Sequence, residues 1–484
     1  MYTDKQEIDW PVSILEADMI SRAKSRVEDF NRLCQLGILP KDGDFFPSVH
    51  YPPITMYSPI TDDELFKDYT IPADGLFDVY VHIPFCLQRC TFCHYPVILG
   101  THKSEEKDRY LSALAKEMEI YRSRLGVDKI KTRSILVGGG TPTFLTLDQM
   151  RYFFDAFNAI VEIPEGTQYS YDVDPNTLLG EEGKQRLELM RDNKVNRLTI
   201  GVQSLNDEVL HRMNRHHTAQ QAIDSINISR EMGFQVNIEF IYGYPGETLQ
   251  NWAEVIEQAA KLNVEEIQLY RLKVDAYGDY QGAIKNVKQK HPDKIPTIQE
   301  TLAMKQIAIE LLNKHGYHEN LRRVFSRKRE HYSHYAHNQC CKLYDEVGFG
   351  LTAFSSLRDR FGLNTQFFDE YYALIDAGKL PINRGLVRNQ EQQLRWGIIL
   401  PLKNSSVHKS DYLRVTGESI EGKFSEKFAE LKRYGLVEED QNEIKLTPLG
   451  CFFADEVVQQ FHTHEYLPFP KSNYAMGPLN PYQG

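Results

Sequence analysis

The chain has 484 residues, 41% hydrophobic and 25% charged, with a formal net charge of −11 and an isoelectric point near 5.9. That length exceeds one simple core and predicts two or three domains, while the acidic balance excludes a general nucleic-acid binder, which would neutralise phosphates with Lys and Arg. No stretch approaches the ~20 consecutive apolar residues of a membrane span, and no N-terminal apolar run resembles a signal peptide, so a cytoplasmic protein with neither nucleic acid nor membrane as partner is expected.

Residues 1–75 read as an N-terminal extension with a helix over about 13–34, then YPPITMYSP, whose prolines exclude regular helix. This segment is expected to wrap the domain that follows. Over 76–355, short β-rich runs alternate with longer helical patterns, with strands expected near 77–83, 133–138, 168–173, 197–202, 235–241 and 265–270. Tyr110, Leu111, Leu114, Met118, Tyr121 and Leu125 recur at helical spacing and predict an amphipathic helix over 105–125. Another should start at Thr146, with Gln149 closing a capping box. Six βα units make the fold class α/β, a partial (β/α)6 barrel. Residues 356–465 read as helices leading to a two-stranded wing in GLVEEDQNEIKLT and a helix near 448–462, a small winged-helix-like α+β domain. Residues 466–484 form a tail rich in Pro, Gly, Tyr and Asn, and no repeat or low-complexity tract is present.

Each unusual motif follows an expected strand, where the loops of a parallel barrel converge on one mouth. VHIPFCLQRCTFCHYP follows the first and carries Cys86, Cys90 and Cys93; GGGTPT (Gly138, Gly139, Gly140, Thr141 and onward) follows the second. DVDPN, beginning at Asp172, ends the third; GVQS, with Gln203, the fourth; EFIYGYPGET, beginning at Glu239, the fifth.

Three thiolates at this spacing suit a cubane cluster in which the fourth iron stays open to a small molecule, and an open position marks a catalytic rather than a structural site. A zinc knuckle would bring a second ligand pair, and none follows before the next strand; zinc with His94 completing the set is the remaining alternative. Seven cysteines, an odd number, argue against a disulfide framework. Glycines 138–140 would let backbone amides approach a ligand. Asp172 and Gln203 could hold a ribose or an amino acid, Arg215 offers a fork for a carboxylate, and Glu239 could accept from hydroxyl or ammonium groups.

These motifs, with NRLTIGVQSLNDEVLHRMNR and VGFGLTAFSS, resemble the radical S-adenosylmethionine (SAM) enzymes related to oxygen-independent coproporphyrinogen III oxidase, over about 76–360. The resemblance implies a 4Fe-4S cluster on Cys86, Cys90 and Cys93. It also implies SAM at Gly138–Thr141, Asp172 and Glu239, with Phe92 shielding the cluster and contacting adenine. It further implies a small-molecule substrate and a reducing partner such as flavodoxin or ferredoxin. Tyr80, Gln203, Arg215 and Glu239 are the positions expected to serve one SAM molecule or two.

Two departures bear on the substrate. Tyr95 stands where the porphyrin-forming oxidases carry a further cysteine, and the acidic pair has Asp172 where Glu is typical and Glu239 where Asp is typical. With the aromatic tail, these point to the family's class C methylase and cyclopropanase branch, in which a second SAM donates a methyl or methylene group to an sp2 carbon. The alternatives are oxidative decarboxylation of a propionate or other tetrapyrrole chemistry, with Arg322, Arg323, Arg327, Lys328 and Arg329 holding carboxylates, and a haem chaperone. The run EHYSHYAHNQCC, with His331, His334, His337, Cys340 and Cys341, is read as substrate contact or packing rather than a second metal site, and Cys34 and Cys451 as ordinary buried thiols.

Overall fold

A computed structural model describes residues 8–41, 48–100, 104–274 and 284–483. Six parallel strands lie side by side in chain order: β1 (Leu76–Ile83), β2 (Ile130–Gly139), β3 (Gln168–Val173), β4 (Arg197–Gln203), β5 (Gln235–Tyr242) and β6 (Glu266–Arg271). Each matches an expected strand to within a few residues. Parallel neighbours need crossovers, and helices Ser104–Leu125, Leu147–Ile160, Gly180–Asp192, Ala219–Glu231 and Leu249–Lys261 supply them. The first buries Tyr110, Leu111, Leu114, Met118, Tyr121 and Leu125, and the second starts at the expected box: Gln149 N–H donates to Thr146 Oγ1 (3.2 Å) and Thr146 N–H to Gln149 Oε1 (3.1 Å).

The sheet does not close. Beyond β6 it continues antiparallel through β7 (His318–Leu321) and β8 (Val324–Ser326), with β8 next to β6. Beyond β1 it adds the parallel strand β9 (Glu346–Phe349), then antiparallel β10 (Phe354–Leu357), β11 (Arg360–Asn364) and β12 (Ile382–Val387). The sequence reads as helical after 355, and these three strands correct it. β11 is buried at every residue, so it lacks the alternation that marks a half-exposed strand.

The N-terminal helix, Ala17–Leu36, lies along helix Ile298–Lys314, with Arg22 paired to Glu310 (2.7 Å) and Lys314 to Glu16 (3.0 Å). Its Phe30 and Leu33 join the core of the C-terminal unit, built on Leu394, Trp396, Ile398, Leu431 and Val457. The wing has three strands, β13 (Ser406–His408), β14 (Val437–Glu439) and β15 (Glu443–Leu446), rather than two. The helix expected near 448–462 breaks at Phe453 into Pro448–Phe452 and Ala454–Gln459. At the break Phe453 leaves the helical conformation, with φ −115° and ψ 38°, and both Phe452 and Phe453 are buried. Among the described residues no helix is long and apolar enough to cross a membrane.

Candidate active site at the open end of the sheet

Beyond β1 the chain enters the cysteine loop, whose base is fixed by Phe85–Cys86 pairing with Ile98–Leu99. The loop is stapled to the segment after β4. Gln88 Nε2 donates to Asn214 O (2.7 Å), Asn214 Nδ2 to Arg89 O (2.7 Å), and Thr91 N–H to Met213 O (3.1 Å). Two donors reach the sulfurs: Thr141 Oγ1 to Cys86 Sγ (3.6 Å) and Arg215 Nη1 to Cys90 Sγ (3.3 Å). Burial pushes the Cys86 thiol up to about 12 and raises Cys93, and the neighbouring sulfurs add to both.

That donor set fits an iron–sulfur cluster. Three soft sulfurs on one loop sense one another, and a cationic group is what would let all three ionise. Among the described residues no three His, Cys, Asp or Glu side chains gather as on a single metal ion. His94, the zinc alternative's fourth ligand, directs Nε2 to Lys273 O (3.4 Å).

The glycine turn packs against protein. Gly140 N–H donates to Ile83 O and Thr141 N–H to Phe85 O, both at 2.8 Å, so these two amides are not offered to a ligand as the sequence reading has it. A Cβ at Gly138 would lie 2.3 Å from Asp172 Oδ2, and one at Gly139, where φ is 111°, would lie 2.7 Å from the His82 ring. The glycines therefore let Asp172 and His82 close under the turn.

Two groups of side chains result. In the interior, Asp172 on β3 and Glu239 on β5 face one another across β4, and burial raises both, with Glu239 adding to the rise of Asp172. Burial and the charge of Glu239 thus disfavour ionising both carboxyls together. Tyr270 donates its hydroxyl to Glu239 Oε1 (3.1 Å), and Tyr80 OH lies 3.0 Å from His82 Nδ1. Burial lowers His82 to about 4, and its Nε2 is buried without a partner.

The second group surrounds the loop. Arg215 is already engaged: besides Cys90, its Nη2 donates to Asp174 Oδ2 (2.8 Å) and Gly201 O (2.9 Å). It braces the loop instead of offering a free fork. Burial alone would raise Asp174, but Arg215 and His216 outweigh it and hold the carboxyl well below the usual range. Gln203 takes a left-handed φ of 67°, and its amide lies over Gly201; such a conformation in a non-glycine residue is characteristic of functional sites. Phe92 packs against the buried group Val209, Met213, Ile241, Tyr244, Leu272 and Ile284.

Sequence reasoning missed His82, Asp174 and Tyr270. A signal existed for His82, which follows Tyr80 by two residues and so shares its strand face. None existed for Tyr270, which meets Glu239 only through the pairing of β5 with β6.

The GYPGET turn carries a testable titration. Glu247 accepts from Gly243 N–H (2.9 Å) and Tyr244 N–H (3.3 Å), yet burial pushes it up from 4.5 to about 8. The folded state therefore holds a proton that the unfolded chain has lost between those values, and stability falls as pH rises through that window. Glu247→Gln retains an acceptor and should flatten the fall, a difference on the order of a few kcal/mol near pH 8, read from denaturant midpoints across pH.

The loop, the turn and the parallel strands define a radical SAM domain, and the model of the Radical SAM superfamily matches residues 80–259. Heme chaperone HemW of Bacillus subtilis (strain 168) is 26% identical over 389 residues, covering 79% of this chain and 98% of the relative. The oxygen-independent coproporphyrinogen III oxidase of Escherichia coli (strain K12) is 27% identical over 404 residues, covering 80% and 85%. The solved structure of coproporphyrinogen III oxidase (HemN) from Escherichia coli shares the fold, with a TM-score of 0.73 at 24% identity over 86% of this chain and 96% of that one. The chain carries a radical SAM domain over residues 80–259 and is similar along most of its length to the coproporphyrinogen III oxidase-like proteins; the superfamily implies a 4Fe-4S cluster and SAM.

Proposed function

We propose that this chain removes hydrogen, by radical chemistry, from a tetrapyrrole bearing carboxylate side chains. The observation that carries the proposal is a group of cations facing the interior acid pair from the β6 to β8 edge. Arg323, at φ 62°, sets its guanidinium 4.3 Å from the centre of the Tyr270 ring, whose hydroxyl reaches Glu239. Burial and then Arg322 lower Arg323; burial and then Arg323 lower Lys273 to about 8; burial and then Arg322 lower Lys403 to about 8. Arg322 pairs with Asp455, yet the cations still depress one another. A ligand with several carboxylates relieves that repulsion. The basic run is thus divided: Arg322 and Arg323 turn inward, while Arg327, Lys328 and Arg329 are exposed.

Cys86, Cys90 and Cys93 would hold a cluster whose chemistry would be to pass one electron to SAM, giving methionine and a 5′-deoxyadenosyl radical. Tyr80, His82, Asp172 and Glu239 line the space between loop and cations, where they orient polar groups and exclude water. Oxidative decarboxylation of a propionate would further need a one-electron acceptor. The relatives' names, coproporphyrinogen oxidase and haem chaperone, favour tetrapyrrole chemistry over the methyl or methylene transfer drawn from Tyr95 and the tail, and the second SAM molecule belongs to that transfer reading.

The test is anaerobic turnover with SAM carrying a CD3 methyl group, offering coproporphyrinogen III and haem in turn. Tetrapyrrole-dependent 5′-deoxyadenosine free of deuterium is expected. Deuterium in that product would establish methyl transfer instead, and a Soret band on adding haem without turnover would establish a chaperone. Arg323→Gln should weaken tetrapyrrole binding roughly 10- to 100-fold, the worth of a charge-assisted hydrogen bond, seen as a raised KM with substrate-free SAM cleavage unchanged.

A further inference from the structure

The cysteine loop is backed by a short basic helix, Ile284–Lys290. Ile284 N–H donates to Thr91 O (3.0 Å), inside the loop, and the buried Ile284 side chain joins Val209, Met213 and Tyr244, against which Phe92 also packs. The start of the helix is therefore fixed directly on the segment between Cys90 and Cys93. The rest faces outward. Residues 284–295 read IKNVKQKHPDKI, four lysines against Asp293 alone, with Lys288, Lys290 and Lys294 exposed and Lys285 half-buried. Gly246 N–H donates to Lys294 O (2.8 Å), which ties the end of this segment to the GYPGET turn.

On a chain of net charge −11, this is a positive face within a helix length, about 10 Å, of the thiols at which an electron must arrive. Leu87 is exposed on the same loop, at 40%.

We infer that Lys285, Lys288, Lys290 and Lys294 form the docking face for an acidic one-electron carrier protein of the flavodoxin or ferredoxin kind. The inference rests on the radical SAM reading for its need of an electron and is independent of the substrate. The chain's overall charge repels an acidic carrier, whereas fields beyond a Debye length of roughly 8–10 Å are screened. A local patch therefore decides where such a carrier lands and how fast. Leu87 supplies apolar contact of the modest area usual in transient redox encounters.

The test uses the full-length, anaerobically reconstituted protein and the triple variant Lys288→Glu/Lys290→Glu/Lys294→Glu, whose changes lie at exposed positions and should leave the fold intact. Reduced flavodoxin should bleach the wild-type cluster at a rate that falls with added salt. In the variant that rate should drop at least 10-fold at low salt and lose its salt dependence, with bleaching by dithionite unchanged. Oxidised flavodoxin should also bind the variant apoprotein more weakly, a readout that needs no cluster. Equal carrier-driven rates and equal binding in variant and wild type would overturn the inference. So would an equal loss in the control Arg327→Glu/Lys328→Glu/Arg329→Glu, which reverses exposed charge elsewhere. Failure of dithionite-reduced wild-type protein to cleave SAM would instead count against the radical reading, and carrier binding to the apoprotein would still decide the docking face.

Discussion

Alanine at Cys86, Cys90 or Cys93 is expected to reduce SAM cleavage to the protein-free background while leaving the fold intact. If each thiolate is to serve its own iron, two would not hold what three hold, and an iron left open for SAM would have no fixed place once a ligand is lost. All three cysteines are only partly buried. The loop is held by main-chain and amide contacts, Gln88 with Asn214, Asn214 with Arg89 and Thr91 with Met213, none of which uses a sulfur. Truncating the thiols should therefore cost stability by no more than about 0.5 kcal/mol in the cluster-free protein, the range of ordinary surface changes. The measurements are 5′-deoxyadenosine formed under dithionite, iron bound per chain, and the thermal midpoint of the apoprotein. Retained cleavage in any of the three variants would refute the ligand assignment. A large drop in apoprotein midpoint would show the cysteines to be structural.

What the sequence made legible follows from how local each signal is. The six parallel strands came from short apolar runs between helical patterns, the Thr146 box from two residues three apart, and the cysteine loop from spacings of four and three. Features assembled across the chain were hidden. Asp174 and Arg215 lie 41 residues apart and meet because β3 and β4 end side by side. The amides of Gly140 and Thr141 are consumed by carbonyls of the β1 segment, which no reading of GGGTPT alone shows. The basic run 322–329 looks uniform in sequence, yet the turn between β7 and β8 sends its first two residues inward. Strand β11 escaped because burial at every residue erases the alternation by which a strand is recognised.

The same interior accounts for a further large effect, at the opposite end of the strands. Arg197, 2% exposed at the start of β4, donates Nη2 to Glu266 Oε1 (2.5 Å), fully buried at the start of β6. Glu266 also accepts from Ser333 N–H (2.9 Å) and Gln268 Nε2 (2.8 Å). Beside it Gln168 takes His334 N–H (2.7 Å), and Asp78 takes Asn338 Nδ2 (2.8 Å) and Gln339 Nε2 (3.0 Å). Residues 333–339 are thereby held across the floor by buried polar groups of the sheet, which leaves the cysteine end as the way in. Removing one member of a buried ion pair strands the other in low dielectric, at a cost of about 3–5 kcal/mol, whereas replacing both with apolar groups is often neutral. Arg197→Met should accordingly lower the denaturant midpoint sharply, and Arg197→Met/Glu266→Leu should recover much of it, short of the hydrogen bonds to Ser333 and Gln268. The double-mutant cycle reads the coupling directly. Additive losses would mean that the pair does not hold the floor, and proteolysis within 329–343 should then be no faster in Arg197→Met than in the wild type.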